Sequence, residues 1–503
     1  MTDIRTLAAG VIASGFGGPT LSAGLAAEVD RLGLAGWILF ARNVESLAQT
    51  RALTDAIRAR YPDDLPPVLA IDQEGGRVAR LRDGVEVLPA MMAVAATGDE
   101  TLARRAGEQM AFDLRRAGFN VDYAPVLDLA LERMNTVIGS RSFGADPERV
   151  ARFAGAFGAG LEAGGMIATY KHFPGHGSTA LDSHLELPVI DVDEATLRAR
   201  DLIPFERLLP DAKALMTAHI VAPAFDGAAA ATLSERLLTG VLRDEIGFGG
   251  VTFTDCMQMD AIARTVGSAR GAVLALAAGA DCVLISHSLA VAEEAIAAIE
   301  AAVADGTLSR ARLEEAHARV TALRRGLAAP LPIDALPPHP GIGREIGRRA
   351  VTVVSGAPRG DAAGDVVVSF QGTTTEGVQG THSAHASLGV AGLQEIRVPL
   401  EPDDAEVDAL LAQIADVGKR PVVLMRRAHI YASQGRAIER LVRARPDAVL
   451  VSAREPFDAA QFGGARDVLC IYGDDEPSME GLRDVLYGGA EAEGVLPLEI
   501  AAV

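Results

Sequence analysis

The sequence predicts an α/β protein: an N-terminal (β/α)8 TIM-like barrel over residues 1–328, a linker over 329–343 and a smaller C-terminal α/β sandwich over 344–503. Three observations predict it. Short apolar runs alternate with longer Ala/Leu/Arg/Glu stretches of helical period, as in parallel strands joined by crossover helices. Roughly seven or eight such repeats precede residue 328, which suits closure into a barrel; a doubly wound open sheet is the alternative. Polar residues recur where the runs end, and AAPLPIDALPPHPGIG (Ala328–Gly343) then interrupts the pattern with proline and glycine.

The first part offers strands at Trp37–Phe40, Val68–Asp72, Asn120–Val126, Met166–Phe173, Ala214–Ile220, Gly250–Asp255 and Cys282–Ser286. Each is a short apolar run, the pattern of a strand buried on both faces. Between them, Ser46–Tyr61, Glu100–Ala117, Asp146–Ala163, Glu194–Leu208 and Leu289–Ala304 carry helical period. Beyond the linker, strand-like runs return at Ala350–Val354, Asp365–Phe370, Arg420–Met425, Asp447–Ser452 and Val468–Tyr472. Helical stretches at Asp403–Val417 and Gln434–Ala444 separate them. This second part has no phosphate-binding glycine loop and no evident catalytic cluster of its own.

Composition narrows the function classes. Hydrophobic residues make up 49% of the chain and aromatics only 4%, so a large core must come from Ala, Val, Leu and Ile. The formal net charge of −20 argues against a nucleic-acid backbone or an anionic membrane as partner, while leaving room for a local basic pocket. Cys256, Cys282 and Cys470 have no metal-ligand spacing, and an odd number of cysteines fits no simple disulfide framework. They read as reduced, buried thiols. The N-terminus, MTDIRTLAAGVIASGF, lacks a basic region followed by a long apolar core, and no apolar run reaches about 18 residues. The expectation is a cytoplasmic protein.

Chemistry concentrates at the run ends: Asp72, Asp128, Lys171-His172, His219, Asp255 and His287. In a parallel barrel these positions share the rim on which active sites are built. Asp255, in VTFTDCMQMD, suits a nucleophile or electrostatic stabiliser, though a carboxylate there also suits a helix N-cap. The stretch KHFPGHGSTALDSH (Lys171–His184) places Asp182 two residues from His184 on a loop, a pairing that orients an imidazole for proton transfer. Asp72, Arg80, Arg141 and Lys171 suit recognition of hydroxyls and carboxylates. His219, His176 and Met257 are secondary candidates. A zinc site on His172, His176 and His184 lacks an accompanying HExxH motif or Cys ligand, so no metal is expected.

Together IDQEGGRVARL, NVDYAPVLDL, NTVIGSRSFG, KHFPGHGSTALDSH and TFTDCMQMDAI resemble glycoside hydrolase family 3, in particular its bacterial β-N-acetylglucosaminidase branch in the two-domain form. The resemblance covers about residues 5–325. The C-terminal segment ending LYGGAEAEGVLPLEI resembles that family's second α/β domain. It implies Asp255 as nucleophile, His184 as acid/base with Asp182 as its partner, and Asp72, Arg80, Arg141, Lys171 and His172 as the residues holding the terminal sugar. The implied activity is that of a retaining, exo-acting β-N-acetylhexosaminidase. It acts without cofactor on small carbohydrates, here peptidoglycan-derived fragments containing N-acetylglucosamine. Two positions depart from the pattern: Ser178 stands where the loop usually carries Asp, and Cys256 follows the nucleophile. The alternatives are a phosphorylase using phosphate in place of water, a β-glucosidase or β-xylosidase, and an inactive sugar-binding protein on the same fold.

Overall fold

Eight short strands close into a parallel barrel in the computed structural model, which describes residues 2–179, 187–227, 229–372, 374–376, 380–382, 386–462 and 465–500. They are β1 (Ile12–Ser14), β2 (Gly36–Leu39), β3 (Val68–Ile71), β4 (Val121–Asp122), β5 (Ile167–Phe173), β6 (Ala214–Thr217), β7 (Val251–Cys256) and β8 (Cys282–Ile285). Each pairs with the next, and β8 returns to β1. Side chains alternate across the barrel wall. Ala13, Ile38, Ala70, Tyr123, Met216, Phe253 and Leu284 fill the interior. Ile12, Trp37, Leu69, Leu215 and Val283 belong to the larger outer cluster with the helices. Small residues on some strands make room for the Tyr123 and Phe253 rings, which meet edge to face at 5.5 Å.

Three expectations need correction. The strand at Ile12–Ser14 was hidden because AGVIASGF holds only a three-residue strand between glycines. The run Asn120–Val126 forms a regular strand only over Val121–Asp122. Pro125 has no N–H for the ladder, but its carbonyl accepts from Lys171 N at 3.1 Å and Val126 bridges to Lys171. The single helix expected at Glu194–Leu208 is broken into Glu194–Thr196, a π-helical Leu197–Asp201 and Ile203–Leu208. Pro204, without an amide proton, removes a helical hydrogen bond there.

The Pro/Gly segment does not swing free. Arg51 Nη1 donates to Leu331 O (2.6 Å), Arg115 Nη2 to Ala329 O (2.7 Å) and Arg116 Nε to Ile333 O (2.9 Å). Beyond it lies a six-stranded sheet of β9 (Thr352–Ser355), β10 (Asp365–Gln371), β11 (Gln394–Pro399), β12 (Arg420–Met425), β13 (Val449–Ser452) and β14 (Asp467–Cys470). The order is β9–β14–β13–β12–β10–β11, parallel except that β9 runs against β14.

Both faces of this sheet are apolar, so helices cover each. Val366, Val368, Val423 and Leu450 pack with helices Asp404–Val417 and Ala432–Ala444. Val367, Val422, Val449 and Leu469 pack with helix Glu476–Leu486. The sequence reading missed β11 because QEIRVP alternates buried and exposed residues at a sheet edge rather than forming an apolar run. Met92, Ala93 and Ala96 of the barrel-side helix Met91–Ala96 belong to the same apolar cluster as β10, so the two parts share packed surface. Among the described residues no helix is long and apolar enough to cross a membrane. The three cysteines are buried and unpaired.

Candidate active site

The C-terminal ends of the barrel strands surround a cavity of about 300 Å³. Asp72 follows β3, Lys171 and His172 lie near the C-terminal end of β5, Asp255 lies near the end of β7, and His287 follows β8. Arg80 arrives at the end of a hairpin pairing Gln73–Gly75 with Val78–Ala79, and Arg141 comes from a 3-10 turn at Gly139–Arg141. All seven line this one cavity, as does His176. The residues expected to hold a sugar and the expected nucleophile are therefore brought together.

The floor is an ionic network that the sequence reading did not include. Glu74 accepts from Arg141 Nε (2.7 Å) and Nη2 (2.8 Å), and its Oε1 lies 2.6 Å from Lys171 Nζ. Lys171 Nζ also donates to Asp72 at 2.9 Å. Burial alone would push the Glu74 carboxyl up, but the adjacent Arg141 and Lys171 hold it well below the usual carboxylate range. Burial works against the Lys171 cation in the same way, and Asp72 and Glu74 outweigh it to keep the ammonium charged. Asp122, deeper in the barrel, goes the other way: desolvation pushes its carboxyl well up, despite the bond from Gln73 N at 3.0 Å. The only local signal for Glu74 was its place in DQEGG, two residues after Asp72.

Asp128 is the second residue whose role emerges from the fold. Its Oδ2 accepts from His172 Nδ1 at 2.6 Å, and its Oδ1 accepts from the backbone of His176 (2.7 Å) and His172 (3.3 Å). With Nδ1 carrying the proton, His172 Nε2 faces Arg141 Nη2 at 3.5 Å as an acceptor. A guanidinium pointed at that nitrogen repels a metal cation. His176 is buried and its Nδ1 lies 2.9 Å from Thr179 Oγ1. Among the described residues no group of three metal-ligating side chains occurs.

Burial, with His172 and Arg141 nearby, lowers the His176 pKa to about 4 even though Asp128 opposes the shift. The unfolded chain therefore takes up this proton near pH 6.5 while the folded chain refuses it until about pH 4. Stability is full above pH 6.5 and falls by about 3 kcal/mol as pH drops to 4. Denaturant midpoints at several pH values check this. His176→Phe is expected to flatten the slope in that window.

Asp182 and His184 lie outside the described residues. The start of their loop is described. Ser178 Oγ donates to Asp201 Oδ1 at 2.6 Å and accepts from Arg200 Nη2 at 2.8 Å, which ties the loop to the π-helical segment. His219 is buried and is not among the residues lining the cavity. Its Nε2 donates to Cys256 O (3.0 Å) and its Nδ1 lies 2.9 Å from Thr232 Oγ1, so it braces the strand end that carries Asp255. Met257 is likewise buried away from the cavity, its methyl against Gly271. Cys256 lines the cavity, with its thiol pushed up by burial. The mouth carries Phe40, stacked on His287 at 5.6 Å, with Arg42 4.5 Å above the Phe40 ring.

The second part of the chain reaches this site from behind. Glu455 accepts from Arg427 Nε (2.9 Å) and Nη2 (2.8 Å) and from the backbone N of Ser140 (3.2 Å). Burial opposes its charge, yet Arg427 and Arg77 hold the carboxyl well below the usual range. Arg77 Nη2 in turn donates to Val137 O (2.6 Å) and Ile138 O (3.0 Å). Gly139, at φ +45°, leaves no room for a side chain: a Cβ would sit 2.1 Å from Glu455 Oε1. The turn that presents Arg141 is thus clamped between the two parts. Glu455→Ala removes the buried carboxylate that takes two bonds from Arg427 and is expected to cost about 3 kcal/mol. It is also expected to raise KM more than it lowers kcat. Chemical denaturation and steady-state kinetics check the two effects.

Known proteins match the barrel that carries these residues. Residues 11–323 match the model of the glycosyl hydrolase family 3 N-terminal domain. A β-hexosaminidase of Pseudomonas aeruginosa is 47% identical over 269 residues, 53% of this chain and 79% of that protein. The structure of a glycoside hydrolase family 3 β-N-acetylglucosaminidase from Paenibacillus sp. superposes over 100% of both chains with a TM-score of 0.91 at 31% identity. A Neisseria gonorrhoeae structure, NagZ in complex with N-trifluoroacetyl-D-glucosamine, covers 62% of this chain and 97% of its own, with a TM-score of 0.52 at 33% identity. With a matching family domain across the whole barrel and sugar-binding candidates converging at its C-terminal rim, the chain belongs to glycosyl hydrolase family 3.

Proposed function

We propose that the protein is a retaining, exo-acting β-N-acetylhexosaminidase that removes terminal β-linked N-acetylglucosamine from peptidoglycan-derived fragments. The observation that carries this reading is the convergence of Asp255 with Asp72, Arg80, Arg141, Lys171 and His172 on one cavity. The relatives named as β-hexosaminidases and β-N-acetylglucosaminidases support the sugar.

In this mechanism the Asp255 carboxylate attacks the anomeric carbon. The glycosidic oxygen leaves with a proton from His184, which Asp182 orients. The resulting glycosyl ester is opened by water, whose proton returns to His184, and the sugar departs with its configuration retained. Asp72 accepts from a ring hydroxyl. Lys171 and Arg141, fixed by Glu74, donate to others. Because the network is already assembled, little reorganisation is needed when a sugar binds. The buried, unpaired thiols fit a reducing compartment, and we place the enzyme in the cytoplasm.

The test is turnover of an aryl N-acetyl-β-glucosaminide, with the anomer of the first-formed product read by NMR. Expected are the β anomer and, with a slow fluorinated substrate, a mass label on the peptide containing Asp255. An α anomer, or a label on another peptide, overturns the reading. Running the assay with and without phosphate separates hydrolysis from phosphorolysis, since only the latter yields a sugar 1-phosphate.

A further inference from the structure

A second cavity, of about 410 Å³, opens where the barrel meets the C-terminal part, on the far side of the hairpin at residues 73–79 from the sugar pocket. Arg77 and Arg82 reach it from the barrel, and Arg426 and Arg454 from beyond β12 and β13. We propose that this cleft is a binding site for the phosphoryl group of a small molecule.

Three features support it. Arg426 and Arg454 are only 4% and 7% exposed, and both lean on one carboxylate, Asp474, at 2.5 and 3.2 Å. Two guanidiniums on one carboxylate leave positive charge uncompensated. Second, Arg426 Nη1 and Arg454 Nε are buried donors without a hydrogen-bond partner, although guanidinium donors at such depth are normally satisfied. Third, the remaining acids compensate poorly. Asp475 spends its side chain capping helix Glu476–Leu486 through Ser478 N at 3.0 Å, and desolvation pushes its carboxyl up. Glu476, the other acid lining the cleft, is exposed to water. Several convergent guanidinium forks suit a tetrahedral dianion, which accepts along more than one edge, better than a planar carboxylate.

The position matters because the hairpin between the two cavities carries Glu74 on one side and Arg77 on the other. Arg77 holds the carbonyls next to Arg141.

The probe is inorganic phosphate, titrated calorimetrically into the full-length protein. Binding is expected to saturate and to weaken at least about tenfold in Arg82→Gln and in Arg454→Gln. It is expected to stay unchanged when N-acetylglucosamine fills the sugar pocket. Absence of saturable binding, wild-type affinity in both variants, or displacement by the sugar overturns the proposal. Should either variant fail to fold, a wild-type crystal soaked in tungstate decides. Anomalous density between Arg82, Arg426 and Arg454 supports the site, and density elsewhere or none refutes it. Failure here leaves the hydrolase reading untouched, since the two rest on different cavities.

Discussion

Asp255→Ala is expected to lower kcat on an aryl N-acetyl-β-glucosaminide by at least about 10³-fold while leaving the fold intact. The size follows from what remains. Without the carboxylate the sugar still finds the Asp72, Lys171 and Arg141 network, so binding survives, but the anomeric carbon has no nucleophile and the developing positive charge no counter-charge. Asp255 is only partly buried, and its Oδ1 accepts from the adjacent Cys256 N at 2.6 Å. Circular dichroism and denaturant midpoints should therefore match wild type. Azide, small enough to enter the vacated space, is expected to restore part of the rate and give a product of inverted configuration. A variant within tenfold of wild type would remove Asp255 from the chemistry.

Glu74→Gln is expected to have the largest effect on stability. Glu74, Arg141 and Lys171 have side-chain exposures of 1, 3 and 2%, so none is screened by water. Replacing the carboxylate with a neutral amide leaves two buried cations sharing Asp72. Breaking a buried pair from one side costs about 3–5 kcal/mol, which chemical denaturation of the variant measures. The amide can still accept one bond but cannot hold Arg141 on two oxygens, so sugar affinity should fall as well. Glu74→Asp keeps the charge on a shorter stem and is expected to recover part of the stability but little of the affinity. That split separates a positioning role from simple charge balance.

The alternation of apolar runs and helical stretches was enough to read the barrel, because strands buried on both faces announce themselves as continuous apolar segments. The elements that escaped did so for the converse reason. Residues 12–14 make too short a run, and 394–399 lie at an edge where every second side chain meets water. The same logic divides the site. Asp72, Lys171, His172 and Asp255 follow apolar runs and stand out as polar interruptions. Glu74 carries no such local mark, and Asp128, which does follow an apolar run, gives no local sign of the histidine it holds. Their importance comes from partners 67 and 44 residues away in the chain, which only the closed barrel brings together. Glu455 is further removed still, 315 residues from the Ser140 amide it accepts from.

That last contact makes the turn bearing Arg141 dependent on residues outside the barrel that contains it. Solved structures such as the Neisseria protein superpose on about 62% of this chain, so the barrel occurs elsewhere without a second part. Here the turn bearing Arg141 rests on Glu455, and Gly139 is shaped to admit it. The turn that presents Arg141 is therefore built by both parts of the chain. During thermal inactivation, catalysis should disappear when the C-terminal sheet melts, even while the barrel remains structured.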